Sequence, residues 1–257
     1  MYSNSPISGV IITYNEEKNI QRCILSLLDV VSEIIVVDSC STDKTVEIAK
    51  SLGAKVVTQE FLGHIKQKNF AKNLANNSWV LSLDADECLS NDLKVNLIQL
   101  IPNLDSSKAY SFNRFTNYCG YWVKYCGWYP DIKVRLFPKN KGNWGGENPH
   151  DILLPNVDLS IKHIKGDILH YSFYTKQQHI QQIQKFSDLS AQAYFENGKK
   201  APIYKIVFSP IIKFIKSYFI QLGFLDGKIG WQICTKSSYA TYLKYKSLRD
   251  LWKSKIS

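Results

Sequence analysis

An α/β fold with a mostly parallel central sheet, followed by a helical, basic C-terminal extension, is the class that the sequence predicts. Three observations lead there. Short apolar runs alternate with amphipathic stretches through the first third of the chain, the pattern of strands joined by crossover helices. Three of these runs end in polar clusters, at 14–17, 38–43 and 84–87. From Thr175 the pattern turns helical, and Lys and Arg outnumber Asp and Glu by 12 to 2 over residues 199–257.

The first strand is Ile7–Thr13, ending in Tyr14-Asn15-Glu16-Glu17. A helix follows with Ile20, Ile24, Leu27 and Leu28 on one face, the spacing of a buried stripe. Glu33–Asp38 reads as a short buried strand, after which Ser39, Ser41, Thr42 and Asp43 offer N-cap side chains for a helix through Lys50. Gly53 stops that helix and 54–58 forms a third strand. Residues 64–76 read as helix, and 79–83 as a fourth strand ending in Asp84-Ala85-Asp86-Glu87. Ligands of parallel sheets sit beyond the carboxyl ends of the strands, so the three polar clusters converge on one candidate site. Residues 108–170 change texture. Aromatic and Gly-rich stretches, a strand at 133–137 and a loop at 142–151 read as loops and short strands shaping a pocket. Helices are expected at 175–198, 202–222 and 229–249.

The 257 residues are 45% hydrophobic and 21% charged. That suits one sizeable core and excludes a disordered, collagen-like or disulfide-stapled chain. The formal charge is +10, yet residues 1–198 carry 20 Lys and Arg against 20 Asp and Glu, so the whole excess lies in 199–257. A basic end on a neutral body points to an anionic surface, either phospholipid or nucleic acid. Six cysteines form no C-x-x-C pair and no zinc-ribbon spacing. Residues 1–6 have neither the basic nor the apolar region of a signal peptide, and no uninterrupted apolar run nears the roughly 20 residues that span a bilayer. A cytosolic, reduced chain is the expectation.

Asp84-Ala85-Asp86 places two carboxylates at a strand end, close enough to share a hard divalent cation such as Mg²⁺ or Mn²⁺, completed by substrate phosphates. Paired carboxylates there also serve as turn residues or helix caps. Asp38 suits hydrogen bonds from a ribose or a base N–H, or caps the following helix. Arg135 alternates with apolar neighbours and suits a diphosphate, an acceptor phosphate or a nearby carboxylate. His150 and His170 are each a metal-side ligand, a phosphate contact or a structural histidine, with His150 preferred for function. Tyr121, Trp122, Trp128, Tyr129 and Trp144 suit either sugar stacking or core packing.

I-I-T-Y-N-E-E (11–17), V-V-D-S-C-S-T-D-K-T (36–45), Q-K-N-F-A (67–71) and L-S-L-D-A-D-E (81–87) resemble, in order and spacing, the nucleotide-sugar-binding half of family 2 glycosyltransferases. Downstream, G-W-Y-P-D-I-K-V-R-L-F (127–137), N-P-H-D (148–151), G-D-I-L-H-Y-S (166–172) and L-G-F-L-D-G (222–227) are similar to a narrower subgroup, the lipopolysaccharide core biosynthesis glycosyltransferases. Cys40 stands where the family often has Gly, a departure expected to matter little.

The resemblance implies a GT-A fold over 1–174, with a donor-binding half at 7–87, an acceptor and catalytic half at 88–174, and the helical extension at 175–257. It implies inverting transfer from a nucleotide-diphosphate sugar to a cell-envelope glycolipid, in the lipopolysaccharide inner core, with a divalent metal (Mg or Mn). By position, Thr13, Tyr14, Asn15 and Glu17 line the nucleotide site, Asp38 holds the base or ribose, and Gln67 and Lys68 lie near the nucleotide. Asp84 and Asp86 engage the metal. On their own chemistry, His150 is a third metal candidate and Arg135 a further donor-site candidate. Inversion also requires a base for the acceptor hydroxyl. The candidates are Asp151, Asp131 and Glu147. Asp151 is preferred for its Gly-rich approach and adjacent His150, and Asp131 is second.

At the basic end, Ser209 and Pro210 read as N-cap and first helical residue, with Ile211, Phe214, Ile215, Tyr218 and Leu222 on one face and Lys213 and Lys216 on the other. Lys205 joins the basic stripe if the helix runs through Pro210. Such a helix suits an anionic membrane surface or ordinary packing on the core. Nucleic acid is not expected as a partner, because 199–257 carry no recognition motif and the core carboxylates repel phosphate unless a metal is present. A peripheral position on the inner face of the cytoplasmic membrane follows as an expectation. A polyprenyl-phosphate sugar transferase is the nearest enzymatic alternative, differing only in acceptor.

Overall fold

The computed structural model describes residues 5–147, 150–156 and 159–255, the side chains of Glu147 and His150 excepted. In chain order the elements are β1 (Ile7–Thr13), α1 (Ile20–Leu27), β2 (Glu33–Asp38), α2 (Thr45–Ser51), β3 (Lys55–Thr58), α3 (His64–Leu74), β4 (Trp79–Asp84), β5 (Glu87–Leu89) and α4 (Asn91–Leu100). There follow β6 (Lys108–Tyr118), β7 (Tyr121–Trp122), β8 (Asp131–Pro138), β9 (Gly142–Glu147), β10 (His150–Pro155) and β11 (Ser160–Phe173). Three helices close the chain: α5 (Lys176–Glu196), α6 (Ile203–Ile215) and α7 (Gly227–Ser254). The described residues up to Arg114, together with Asp131–Tyr171, form one compact unit; Phe115–Pro130 and the described residues from Ser172 onward form a second.

In the first unit the strand order runs β3-β2-β1-β4-β8-β6-β11-β5. β3, β2, β1 and β4 are parallel, and β8 joins β4 antiparallel. β2, β1 and β4 are buried and mostly apolar because both of their faces are covered, whereas the edge strand β3 is half-exposed. Ile7, Ile11, Ile34, Val36 and Leu81 pack on one side with Ile24 and Leu27 of α1 and Leu93 of α4. Val10, Ile12, Ile35, Val37 and Val80 pack on the other with Ala71 of α3 and Trp144 of β9. Gly9 permits this contact with α1, since a Cβ there would lie 3.2 Å from Leu27 Cδ1. The register sets Thr13 opposite Asp38, Asp38 opposite Thr58, and Ile12 opposite Asp84. Three polar strand ends therefore meet along one edge.

The segment expected to hold loops and short strands is more regular than that. β6 and β11 span 11 and 14 residues and extend the same sheet. Aromatic and polar residues interrupt their alternation, which hid them from a period-two search. β9 and β10 form a separate antiparallel hairpin.

In the second unit, Thr175 and Gln178 form a capping box that starts α5. Asp226 is buried and accepts hydrogen bonds from Tyr125 N (2.8 Å) and Tyr121 Oη (3.1 Å), which ties down the aromatic loop. Trp128 packs there in a cluster with Tyr118, Phe173 and Ile233. Two expectations need correction. α6 begins at Ile203 with Pro202 as its N-cap, and Pro210 lies inside it, so Ser209 starts no helix. An internal proline costs about 3 kcal/mol; here the residue is buried and its carbonyl accepts from Ser238 Oγ of α7 (2.7 Å). The expected apolar stripe is also divided. Phe214 and Tyr218 pack inward, Phe214 lying 5.3 Å from the Trp231 ring, whereas Ile211, Ile215 and Leu222 remain exposed.

Candidate active site

Two clusters occupy the strand-end edge of the first unit. The first joins Thr13 of β1, Asp38 of β2 and Gln67 of α3. All three are buried, and Thr13 Oγ1, Asp38 Oδ1 and Gln67 Oε1 have no hydrogen-bond partner among the described residues. Their other contacts hold them in place. Asp38 Oδ2 accepts from Ser41 N (2.9 Å), and Gln67 Nε2 donates to Ser39 Oγ (3.1 Å) and Gln59 O (3.2 Å). Buried polar atoms left unpaired cost free energy and are uncommon in native folds. Three side by side mark a place for a polar ligand or ordered water.

Asn15 and Glu17 sit beside this cluster but are engaged in joining loops. Asn15 Oδ1 accepts from Thr42 N (2.8 Å), Asn15 N donates to Ser41 Oγ (2.8 Å), and Glu17 Oε2 accepts from Lys44 N (3.2 Å). Asn15 has φ of 53°, a left-handed conformation that Asn tolerates well. Tyr14 is exposed. Cys40 has φ of 65°, so the expectation that it matters little needs amending. Glycine takes that conformation freely, while a residue with a Cβ is held there at a cost of roughly 1–2 kcal/mol.

The second cluster is a chain of alternating charges. Asp151 Oδ2 meets Lys68 Nζ at 2.8 Å, and Lys68 Nζ meets Asp84 Oδ1 at 3.0 Å. Asp84 Oδ2 and Glu87 Oε1 meet Arg135 Nη2 at 3.1 and 2.7 Å. Arg114 links Glu87 (3.5 Å) to Asp131 (2.7 Å), whose other oxygen meets Lys133 at 3.1 Å. Burial opposes the charge on Asp84, but Lys68 and Arg135 outweigh it and hold the carboxyl far below its ordinary range. Arg135, pulled down by burial, is carried above its usual value by Glu87 and Asp84. Asp131 is likewise held low, burial being overcome by Arg114 and Lys133.

Asp151 and Asp131, two of the three candidate bases, thus lie near opposite ends of one network. Asp131 has both oxygens bound by cations, which weakens it as a proton acceptor. Asp151 reaches the site on the β9–β10 hairpin, which α3 clips in place. Asn69 Nδ2 donates to Trp144 O and Asn69 Oδ1 accepts from Trp144 N, both at 2.9 Å. Lys72 Nζ donates to Gly142 O (3.1 Å) and to Asn143 Oδ1.

Asp86 points elsewhere. Its Oδ2 lies 3.1 Å from His170 Nε2, because β11 pairs antiparallel with β5 and sets His170 opposite Glu87. Asp86 raises the His170 pKa against the effect of burial. Glu16 is pushed up to about 7, first by burial and then by Asp86. His170, the histidine less favoured from sequence, is set against a D-x-D carboxylate; the His150 and Glu147 side chains lie outside the described residues. Among the described residues no three His, Cys, Asp or Glu side chains group as a ready metal cage. Asp86, partly exposed and bound by neither Lys nor Arg in these pairs, offers with His170 the oxygen and nitrogen donors suited to an ion completed by phosphate and water. Asp84, already neutralised by two cations, is the poorer ligand.

Sequence reasoning missed Glu87, Arg114, Asn69 and Glu16 as members of this site. Glu87 and Glu16 lay inside the polar clusters, and Asn69 inside the Q-K-N-F-A run. Arg114 left no signal, since its partners come from distant strands.

Residues 8–120 match the family model for glycosyl transferase family 2. An uncharacterized glycosyltransferase of Rickettsia typhi is 34% identical over 95% of this chain and 87% of its own length. The chain belongs to glycosyl transferase family 2. This glycosyltransferase is also 29% identical, over 85% of its chain and 83% of the relative's, to the lipopolysaccharide core biosynthesis glycosyltransferase LpsC of Rhizobium meliloti. Among solved structures, S. aureus TarS 1–349 in complex with UDP aligns with a TM-score of 0.47 at 15% identity, over 97% of this chain and 91% of that one. The family 2 glycosyltransferase has a GT-A-type fold: helices cover both faces of the β3-β2-β1-β4 sheet, with the polar strand ends along one edge.

Proposed function

We propose that this glycosyltransferase transfers a sugar, with inversion, from a nucleotide-diphosphate sugar to a glycolipid of the cell envelope, in the lipopolysaccharide inner core. The observation that carries the donor half is the trio of buried, unpaired polar atoms on Thr13, Asp38 and Gln67 at the strand ends of a family 2 domain. A ribose and base supply the hydrogen bonds that these atoms lack. The likeness to LpsC along most of both chains supports the acceptor class.

In the proposed reaction the acceptor hydroxyl oxygen forms a bond to the anomeric carbon as the bond from that carbon to the β-phosphate oxygen breaks. The hydroxyl proton passes to Asp151, and the nucleoside diphosphate leaves with the bonding electrons. Lys68 holds the Asp151 carboxylate in position through the 2.8 Å contact, and Arg135 and Lys68 bring positive charge to the side of the site where the diphosphate charge develops. Asp86 and His170 would hold a divalent cation, which would supply Lewis-acid stabilisation of the leaving diphosphate. The reaction is placed at the cytoplasmic face of the membrane that carries the acceptor.

Calorimetric titration with a panel of nucleotide sugars, with and without Mn²⁺ or Mg²⁺, tests this. Metal-dependent binding of one donor is expected, weakened at least tenfold in Asp86→Ala. Metal-independent binding, or no binding by folded protein, overturns the proposed donor site.

A further inference from the structure

We propose that the outer face of α6 and the turn after it insert into the headgroup and upper acyl region of an anionic lipid bilayer. The proposal deepens the glycolipid reading and rests on it for the membrane's identity, while the surface itself is defined by the side chains. α6 turns Pro210 and Phe214 inward, and Ser217 and Tyr218 follow in the next turn. Facing the other way are Tyr204, Phe208, Ile212, Phe219 and Ile220, between 56% and 71% exposed. At 3.6 residues per turn Tyr204, Phe208 and Ile212 lie within about 80° of one another, on the side of α6 away from Pro210 and Phe214. Phe224 and Leu225, in the following turn, are exposed as well. Soluble proteins rarely leave a contiguous apolar patch larger than a few hundred Å² facing water.

Charge selects the occupant. Residues 199–225 contain five lysines and no Asp or Glu. On the helical projection Lys205 and Lys216 border the apolar face, with Lys213 next to them. A second copy of the chain docked on this face would bring two such lysine rows together, an arrangement that like-charge repulsion opposes. An anionic bilayer satisfies both features: the apolar side chains enter the acyl boundary while the lysine stems reach back to the phosphates. Among the described residues no single helix is long and apolar enough to cross a bilayer, and the chain bends by 73° between Ile203–Ile220 and Gly223–Ser254. That geometry suits a segment lying in the interface.

Flotation of the full chain with phosphatidylglycerol–phosphatidylethanolamine vesicles and with phosphatidylcholine vesicles, at 0.1 and 1 M NaCl, tests the assignment. Wild type is expected to float with anionic vesicles and to retain part of that binding at 1 M NaCl, where headgroup attraction is screened. Phe208→Ser/Ile212→Ser/Phe219→Ser should lower the bound fraction at least tenfold at both salts, with circular-dichroism melts and nucleotide-sugar binding unchanged. Lys205→Gln/Lys213→Gln/Lys216→Gln should remove only the preference for anionic lipid. Undiminished flotation of the serine variant overturns insertion, as does wild type that ignores vesicles but self-associates in a way the same serines abolish. Nucleotide-sugar binding on the same samples reports separately on the glycosyltransfer reading, so the two can fail independently.

Discussion

Glu16 lies at the end of β1 with the Asp86 carboxylate close enough to compete with its own charge. Burial and Asp86 lift its pKa from 4.5 to about 7, while the Asn19 amide, donating at 2.7 Å, pulls the other way. Below pH 4.5 the carboxyl is protonated both folded and unfolded and costs nothing. As pH rises from there to about 7 the unfolded chain ionises first, so stability falls, reaching a constant penalty of at most ~3 kcal/mol. His170 slopes the same way: Asp86 raises its pKa, so its contribution is complete below the unfolded value and is lost as pH rises through the folded one. Glu16→Gln keeps an acceptor for Asn19, and should melt with the parent at pH 4 but above it at pH 8. Asn69 acts through geometry alone. Asn69→Ala strips both partners from the Trp144 backbone, and a loss of about 2–3 kcal/mol is expected in urea denaturation, with kcat lowered more than donor affinity because Asp151 loses its fixed hairpin. Thr13, Asp38 and Asp84 were legible as residues of the strand-end edge because each ends an apolar run. The partners that consume Asp84 were not, since Lys68, Arg135 and Asp151 arrive from three separate elements.

At the scale of elements, α3 is the part that organises the site. One helix supplies Gln67 to the donor cluster, Lys68 to the charge network, and Asn69 and Lys72 to the β9–β10 hairpin. Gln67, Lys68 and Asn69 lie about 100° apart around the helix, and Lys72 returns near the direction of Lys68 one turn on, which lets so short a segment serve three neighbours. β11 is tied to α4 more tightly still. Gly166 has φ of +110°, and a Cβ there would lie 2.6 Å from the Leu93 backbone. Gly166→Ala is therefore expected to destabilise by about 3 kcal/mol or more through backbone strain and overpacking, read as a drop in the thermal midpoint. Metal-dependent donor binding should weaken with it, because the same strand carries His170. The parallel strands were readable from their apolar runs, whereas β5, β6 and β11 were not: their pairing depends on residues as distant as His170 and Glu87.

For the whole molecule, the distribution of charge carries more information than its total. The neutral first 198 residues contain the strand-end site, and the +10 resides in the last 59. Transfer to a glycolipid embedded in anionic vesicles should accordingly slow as NaCl rises from 0.1 to 0.5 M, while hydrolysis of the nucleotide sugar without acceptor stays constant; assaying released nucleoside diphosphate measures both. The sequence by itself determined the α/β alternation, the three polar strand ends, the family and the basic terminus, because each is written in local periodicity or contiguous motifs. Tertiary structure alone decided that Asp84 is neutralised by Lys68 and Arg135, that His170 joins Asp86, that the Pro210 carbonyl is taken up by Ser238 of α7, and which face of α6 remains bare. Those outcomes depend on which distant side chains share a buried space, and neither hydrophobic period nor residue spacing encodes that.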